Sequence, residues 1–204
     1  TAQIYDVELG RVRQTLGGHT MGVTSLQWSG HENILYTSSR DRTVLVHDLR
    51  TGKPAYVLKR HAHWVNELSL STGYVLQQGG FDILGKQTGM TGAKHRLDTA
   101  LSARERLVSA SDDGTLYLWE PLATQQPLRR LVGHSSQVMG TRFSPDGRHI
   151  ASCSCDKNIK IWDGFNGLCE DTLRGHVQTV YRCAWSPDSR MLVSASKDST
   201  VKLW

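Results

Sequence analysis

Four times along the chain a histidine, two hydroxyls and an aspartate recur in the same order. The sets are His19 with Thr37, Ser39 and Asp41; His61 with Ser109, Ser111 and Asp113; His134 with Ser152, Ser154 and Asp156; and His176 with Ser194, Ser196 and Asp198. A histidine that passes a proton between a hydroxyl and a carboxylate is the apparatus of a serine hydrolase. A reaction needs that apparatus once, whereas here it comes round four times, which points to architecture. A buried imidazole and a buried carboxylate cost several kcal/mol when unpaired, and each can satisfy the other. No catalytic residue is assigned.

Two further motifs point to chemistry and then fail on detail. Gly80 to Lys86 has the G-x-x-x-x-G-K spacing of a phosphate-binding loop, but Gln87 stands where a hydroxyl must hold magnesium, and no strand-to-helix pattern surrounds it. Cys153, Cys155, Cys169 and Cys183 form no C-x-x-C pair and have no histidine at zinc-ligand spacing. They read as reduced core thiols of an intracellular protein. The expectation is therefore no cofactor, no metal and no small-molecule substrate.

The elements that position these residues follow from the period. The four histidines are separated by 42, 73 and 42 residues, and the aspartates lie 22, 52, 22 and 22 residues beyond them. Six residues after each aspartate stands His47, Trp119, Trp162 or Trp204. One unit thus carries an insertion of about 30 residues. Inside a unit, apolar side chains alternate, as in Val23 to Trp28, Ile34 to Ser38 and Thr43 to His47, which is the period of strands. Ser-Pro-Asp-Gly at Ser144 to Gly147 and Ser-Pro-Asp-Ser at Ser186 to Ser189 mark turns. A further strand follows each tryptophan position at Val12 to Leu16, Ala55 to Leu58, Leu128 to Val132 and Cys169 to Leu173. Four antiparallel strands in about 42 residues make one blade of an all-β propeller.

The Gly-His pairs at Gly18-His19, Gly133-His134 and Gly175-His176, with SASDDGTLYLW ending at Trp119, SCDKNIKIWD ending at Asp163 and SASKDSTVKLW ending at Trp204, resemble the WD-repeat β-propeller family over essentially the whole chain. That resemblance implies a hydrogen-bonded quartet of histidine, hydroxyl, aspartate and tryptophan in each blade. Which hydroxyl takes part, the one two or the one four residues before the aspartate, stays open. His47 in place of tryptophan and Arg60 in place of the glycine before His61 imply weaker or rearranged quartets there. Residues 1–16 end a preceding blade, 17–58 form a blade, and 59–132 form a blade with the insertion near 74–106. Residues 133–173 form another, and 174–204 one without its outer strand. All belong to one partial propeller of about four blades, from a ring of eight in the relatives it resembles.

With 204 residues, 38% of them hydrophobic, the chain is long enough to bury a core, and no apolar run approaches the roughly 18 residues of a membrane helix, so no membrane partner is expected. It opens at Thr1, so a missing targeting signal excludes no compartment. The net charge of +5 favours polyanionic partners. The insertion concentrates bases at Lys86, Lys94, Arg96 and Arg104, and Leu97 to Leu107 has helical spacing. It suits RNA or an acidic partner, or else is a solvated loop. The resemblance also implies that partners meet the face carrying the loops between outer and inner strands, where the residues flanking each strand-opening valine point outward: Trp64 and Asn66, Gln137 and Met139, Thr179 and Tyr181, with Arg40, Asp112 and Lys197. Trp64 and Tyr181 either anchor a partner or pack between blades.

Within the WD repeats, His61 to Asp82, Glu105 to Trp119 and Trp162 to Trp204 resemble the Notchless family of large-subunit ribosome assembly factors. That resemblance implies a nuclear and nucleolar scaffold binding the proteins and rRNA of pre-60S particles. A midasin-type AAA ATPase would release it through an N-terminal domain outside these residues. The other reading is a WD-repeat substrate receptor or signalling scaffold that binds acidic peptides.

Overall fold

A computed structural model describes residues 1–30, 33–74 and 104–204. β1 (Ala2–Asp6) and β2 (Arg11–Leu16) form a two-stranded antiparallel sheet. The first four-stranded blade follows as β3 (Val23–Trp28), β4 (Ile34–Ser39), β5 (Thr43–Asp48) and β6 (Lys53–Lys59). The second is β7 (Val65–Leu70), β8 (Leu107–Ser111), β9 (Thr115–Trp119) and β10 (Pro127–Val132). The third is β11 (Val138–Phe143), β12 (His149–Ser154), β13 (Ile159–Asp163) and β14 (Cys169–Leu173). β15 (Val180–Trp185), β16 (Leu192–Ser196) and β17 (Val201–Leu203) make a three-stranded fourth blade. Every pairing is antiparallel and sequential, so the fold is the all-β architecture of propeller blades.

Blades stack because each strand offers apolar side chains to both sides. Tyr36, Val44, Val46 and Leu58 of the first blade meet Val65, Leu68 and Leu107 of the second. Val108, Leu116 and Leu118 of the second face Val138, Ile150 and Trp162 of the third, and Ala151 and Ile159 of the third face Val180 and Leu192 of the fourth. β8 and β9, sandwiched on both faces, are buried at every position. The fourth blade has one bare side, where Val201 and Leu203 are exposed.

Each second-to-third-strand turn is too tight for ordinary backbone. The residue after the aspartate takes a left-handed conformation in all four: Arg42 (φ 70), Gly114 (φ 77), Lys157 (φ 75) and Ser199 (φ 64). The aspartate compensates by accepting, through Oδ1, the backbone N–H two residues on, as Asp113 does from Thr115 at 2.9 Å.

The inserted segment interrupts the connection between the first and second strands of its blade. β7 and β8 pair as far as Leu70 and Leu107, and Ser71 N–H donates to Arg106 O at 2.9 Å, so both stems belong to the blade body. Buried Glu105 accepts from Ser29 Oγ, Gly30 N, Tyr36 Oη and Thr72 Oγ1, each at 2.8 Å. Arg106 reaches the opposite way: its guanidinium donates to Gly164 O and lies 3.9 Å over the Phe165 ring. The stem thereby ties three consecutive blades. The phosphate-loop-like Gly80 to Lys86, the start of the helical spacing at Leu97 to Leu101, and Lys86, Lys94 and Arg96 lie outside the described residues. The end of that spacing is corrected: Arg104 to Arg106 form no helix and Leu107 opens β8, because this stretch is the stem that pairs into the blade.

The four cysteines correct the expectation of core thiols. Cys153 and Cys183 are buried in the interface of the third and fourth blades, but Cys155 is half-buried and Cys169 exposed, because Cys155 sits at a strand end and Cys169 on an outermost strand.

Candidate functional site

Each recurring polar set is sealed inside its own blade. In the third, Trp162 Nε1–H donates to Ser152 Oγ at 2.8 Å, so the serine hydrogen is left for His134 Nε2 at 2.8 Å. Nδ1–H of the same ring then donates to Asp156 Oδ2 at 2.8 Å. Trp119, Ser109, His61 and Asp113 repeat this with 2.9, 2.7 and 3.1 Å, and Trp204, Ser194, His176 and Asp198 with 2.8, 2.8 and 2.9 Å. The hydroxyl that joins is therefore the one four residues before the aspartate. The other hydroxyl holds the loop instead, as Ser154 Oγ does by donating to Gln137 O at 2.8 Å and accepting from Asp156 N at 3.1 Å.

These bonds shape the ionisation of the carboxyls. Burial alone would raise Asp113, but bonds from His61 and Thr115 outweigh it and hold the group well below the ordinary carboxylate range. The same contest, won by His134, holds Asp156 down at about 2. In Asp41 burial is outweighed by bonds from Thr43, Thr20 and His19, and Asp198 is lowered chiefly by the Thr200 hydroxyl. With Ser109, Ser152 and Ser194 buried and already accepting a tryptophan N–H, none stands free as a nucleophile.

The two departures from the pattern behave differently. Beside Arg60 the quartet of His61 keeps all its bonds, so the missing glycine costs that network nothing. In the first blade His19 Nδ1 lies 2.8 Å from Asp41 and Nε2 2.8 Å from Thr37 Oγ1, which in turn is 2.9 Å from His47 Nε2. Since the threonine gives its hydrogen to His19, His47 must donate from Nε2, which leaves a bare Nδ1 lone pair buried with no partner. Burial, followed by the nearby His19, pushes His47 down to about 4, so the ring is neutral and carries no unmet N–H.

What faces outward is built by a second repeat, invisible in residue types. The register of every inner strand slips at its second residue, between Val23 and Ser25, Val65 and Glu67, Val138 and Gly140, and Val180 and Arg182. A bulge of this kind re-aims the extra side chain. The four extra residues, Thr24, Asn66, Met139 and Tyr181, all line one cavity of about 520 Å³ at the channel mouth, with Gly22, Val23, Arg40 and Arg182. Among the described residues, Arg40 and Arg182 are the charged ones in that lining.

Of the sequence candidates, Arg40, Asn66, Met139 and Tyr181 therefore come together. Trp64 stands beside them: the Arg40 guanidinium lies 4.7 Å over its ring, and the indole is 36% exposed, so it is not packed between blades. Tyr181 is likewise 43% exposed. Asn66 is already bound, with Nδ2 donating to Asp112 Oδ1 at 2.6 Å and Val138 O at 2.8 Å, so only its carbonyl remains for a partner. Lys197 is exposed at the end of β16 but does not line the cavity. Arg104 sits at the opposite end of its blade, 3.3 Å from Glu120.

Arg182 was missed by the sequence reading. It donates from Nη1 to Met139 O at 2.6 Å, and the same atom is 3.4 Å from Glu67 Oε2, whose other oxygen is 2.8 Å from Arg142 Nη2. Gly140 makes room for this cluster, because a Cβ there would stand 2.8 Å from Glu67 Oε2 and 3.2 Å from Arg182 Nη1. The available signal was a charge at the third position of strands otherwise bound for burial: Glu67 in Val65–Leu70 and Arg182 in Val180–Trp185.

Comparison with known proteins agrees with this geometry. Residues 10–48, 95–120, 125–163 and 167–204 match the family described as WD domain, G-beta repeat. The chain is 45% identical over 162 residues to Ribosome assembly protein 4 of Saccharomyces cerevisiae, covering 75% of this chain and 32% of that protein. It is 41% identical over 155 residues to Protein Notchless of Drosophila melanogaster, covering 71% and 31%. It is 45% identical over 179 residues to Notchless protein homolog of Arabidopsis thaliana, covering 85% and 38%. The chain thus spans about a third of the length of these relatives. Since the matched repeats take in most of the chain and each ends at the third strand of an observed blade, it belongs to the WD40 family.

Proposed function

We propose that this chain is part of a ribosome assembly factor, a non-catalytic scaffold that docks on pre-60S particles through its propeller. The observation that carries the proposal is the 45% identity, over three quarters of the chain, to a protein named Ribosome assembly protein 4. The sealed quartets support it, since they hold the blades rigid and leave the loops and the channel mouth for recognition. Ribosomal proteins meet the mouth at Trp64 and Tyr181, and rRNA phosphates are drawn by the exposed Arg104 and by the bases of the insertion. The working place of such a factor is the nucleus and nucleolus. A midasin-type AAA ATPase releases it by pulling on an N-terminal domain outside this chain.

The test is sedimentation of the full-length protein with purified pre-60S particles across a salt series. Association that declines steadily with salt is expected. A protein that stays at the top of the gradient at every salt concentration refutes the proposal, and binding that ignores salt refutes the rRNA contribution.

A further inference from the structure

The mouth holds more donor capacity than the fold uses. Arg40 stacks on Trp64 with its guanidinium, and none of its side-chain N–H groups has an acceptor among the described residues. Arg182 engages its neighbours through Nη1 alone, so among the described residues Nε, Nη2 and the Tyr181 hydroxyl have no partner. Beside the cavity Glu67 is shared by Arg142 and Arg182, so one carboxylate faces two guanidiniums, while Asp112 behind Asn66 is engaged by Asn66 and His63. Around these donors the wall is mixed, with Val23, Met139 and the Tyr181 ring supplying its apolar part and Thr24 and Asn66 its neutral polar part.

We propose that the mouth binds an acidic side chain of a protein partner, its carboxylate held between Arg40 and Arg182. This rests on the reading of the mouth as a recognition surface and names the chemistry that it recognises. Guanidinium groups are suited to this because their planar N–H forks match a carboxylate. The methylenes of a glutamate then lie on Met139 and Tyr181, and the Asn66 carbonyl is free to accept a backbone N–H. A nucleic acid strand fits less well. It asks for cations spaced along a track and for aromatic faces to stack its bases, whereas the two charges here converge on one cavity of about 520 Å³. A double helix is too wide to enter.

The experiment titrates the full-length protein into a short fluorescein-labelled peptide of alternating glutamate and leucine, read by anisotropy. Parallel arms use the glutamine version of the peptide and a labelled single-stranded RNA. Arg40→Gln and Arg182→Gln are each expected to weaken binding of the acidic peptide by about tenfold or more, and Lys197→Gln, on the same face outside the cavity, by less than about twofold. Arg182→Lys keeps the charge without the fork and is expected to fall between wild type and Arg182→Gln. Thermal unfolding of each variant beside wild type separates lost binding from lost fold.

Three results overturn the proposal. They are equal binding of the glutamine peptide, an equal loss in Lys197→Gln, and binding of the RNA without the peptide. Because this titration involves no ribosomal particle, failure of particle docking leaves it unaffected, and its own failure leaves the docking result standing.

Discussion

Replacing Ser152 by alanine isolates what a quartet contributes. The serine oxygen receives Trp162 Nε1–H at 2.8 Å and gives its hydrogen to His134 Nε2 at 2.8 Å, and all three residues are buried. Removing it orphans one buried donor and one buried acceptor, and each costs about 1–3 kcal/mol. Ser152→Ala is therefore expected to destabilise the third blade by about 2–6 kcal/mol. Read as amide hydrogen exchange of β12 in the full-length protein, the low end of that range already means about thirtyfold faster opening. Thr172→Ala, on the outermost strand of the same blade, removes a half-buried hydroxyl that accepts from Lys160 Nζ and serves as the control, with a change within about 0.5 kcal/mol. If the two variants exchange alike, the quartets do not hold the blades and the architectural reading is wrong.

Four other outcomes follow from the same structure. His47 is neutral in the fold, so as pH falls below 6.5 the unfolded chain takes up a proton that the folded chain refuses until about 4. Stability is therefore lost progressively across that window, by about 2 kcal/mol between pH 7 and 5, and His47→Gln should flatten this part of a urea-midpoint profile. For Asp156 the contribution is complete above the ordinary value of 3.8 and vanishes as pH falls through about 2, so Asp156→Asn should mimic acid conditions at neutral pH in the same assay. Gly140→Ala forces a Cβ against Glu67 and should cost about 1–3 kcal/mol and lower the melting temperature, whereas an unchanged melt would mean that the ion cluster has slack. Lys157→Gly relieves a left-handed residue and should raise stability by up to about 1 kcal/mol.

What the sequence made legible was whatever repeats in residue type. Alternating apolar side chains marked the strands, and the spacing of histidine, aspartate and tryptophan marked the quartets, because burial of polar groups permits few substitutes. The choice between Ser152 and Ser154 was not legible, since both lie on one strand face and only bond geometry separates them. The outward positions Asn66, Met139 and Tyr181 followed from the family resemblance, but the bulges that aim them did not show in residue types, since Thr24, Asn66, Met139 and Tyr181 share a backbone position and no chemistry. Arg182 escaped notice because strand alternation gives no hint that a charge just past the bulge of an inner strand lines the same cavity as Arg40. Glu105 and Arg106 looked like the edge of an insertion, whereas their burial against two neighbouring blades comes from contacts far apart in the chain.

The most direct measurement of the central claim is amide exchange of the full-length protein, free and bound to purified pre-60S particles. The account predicts that turn amides of the quartets, at Thr43, Thr115, Asn158 and Thr200, are already protected in the free protein. New protection on binding should then gather at the mouth, around Thr24, Asn66, Met139 and Tyr181. Quartets that exchange freely until the particle binds, or protection that leaves the mouth untouched, would contradict it.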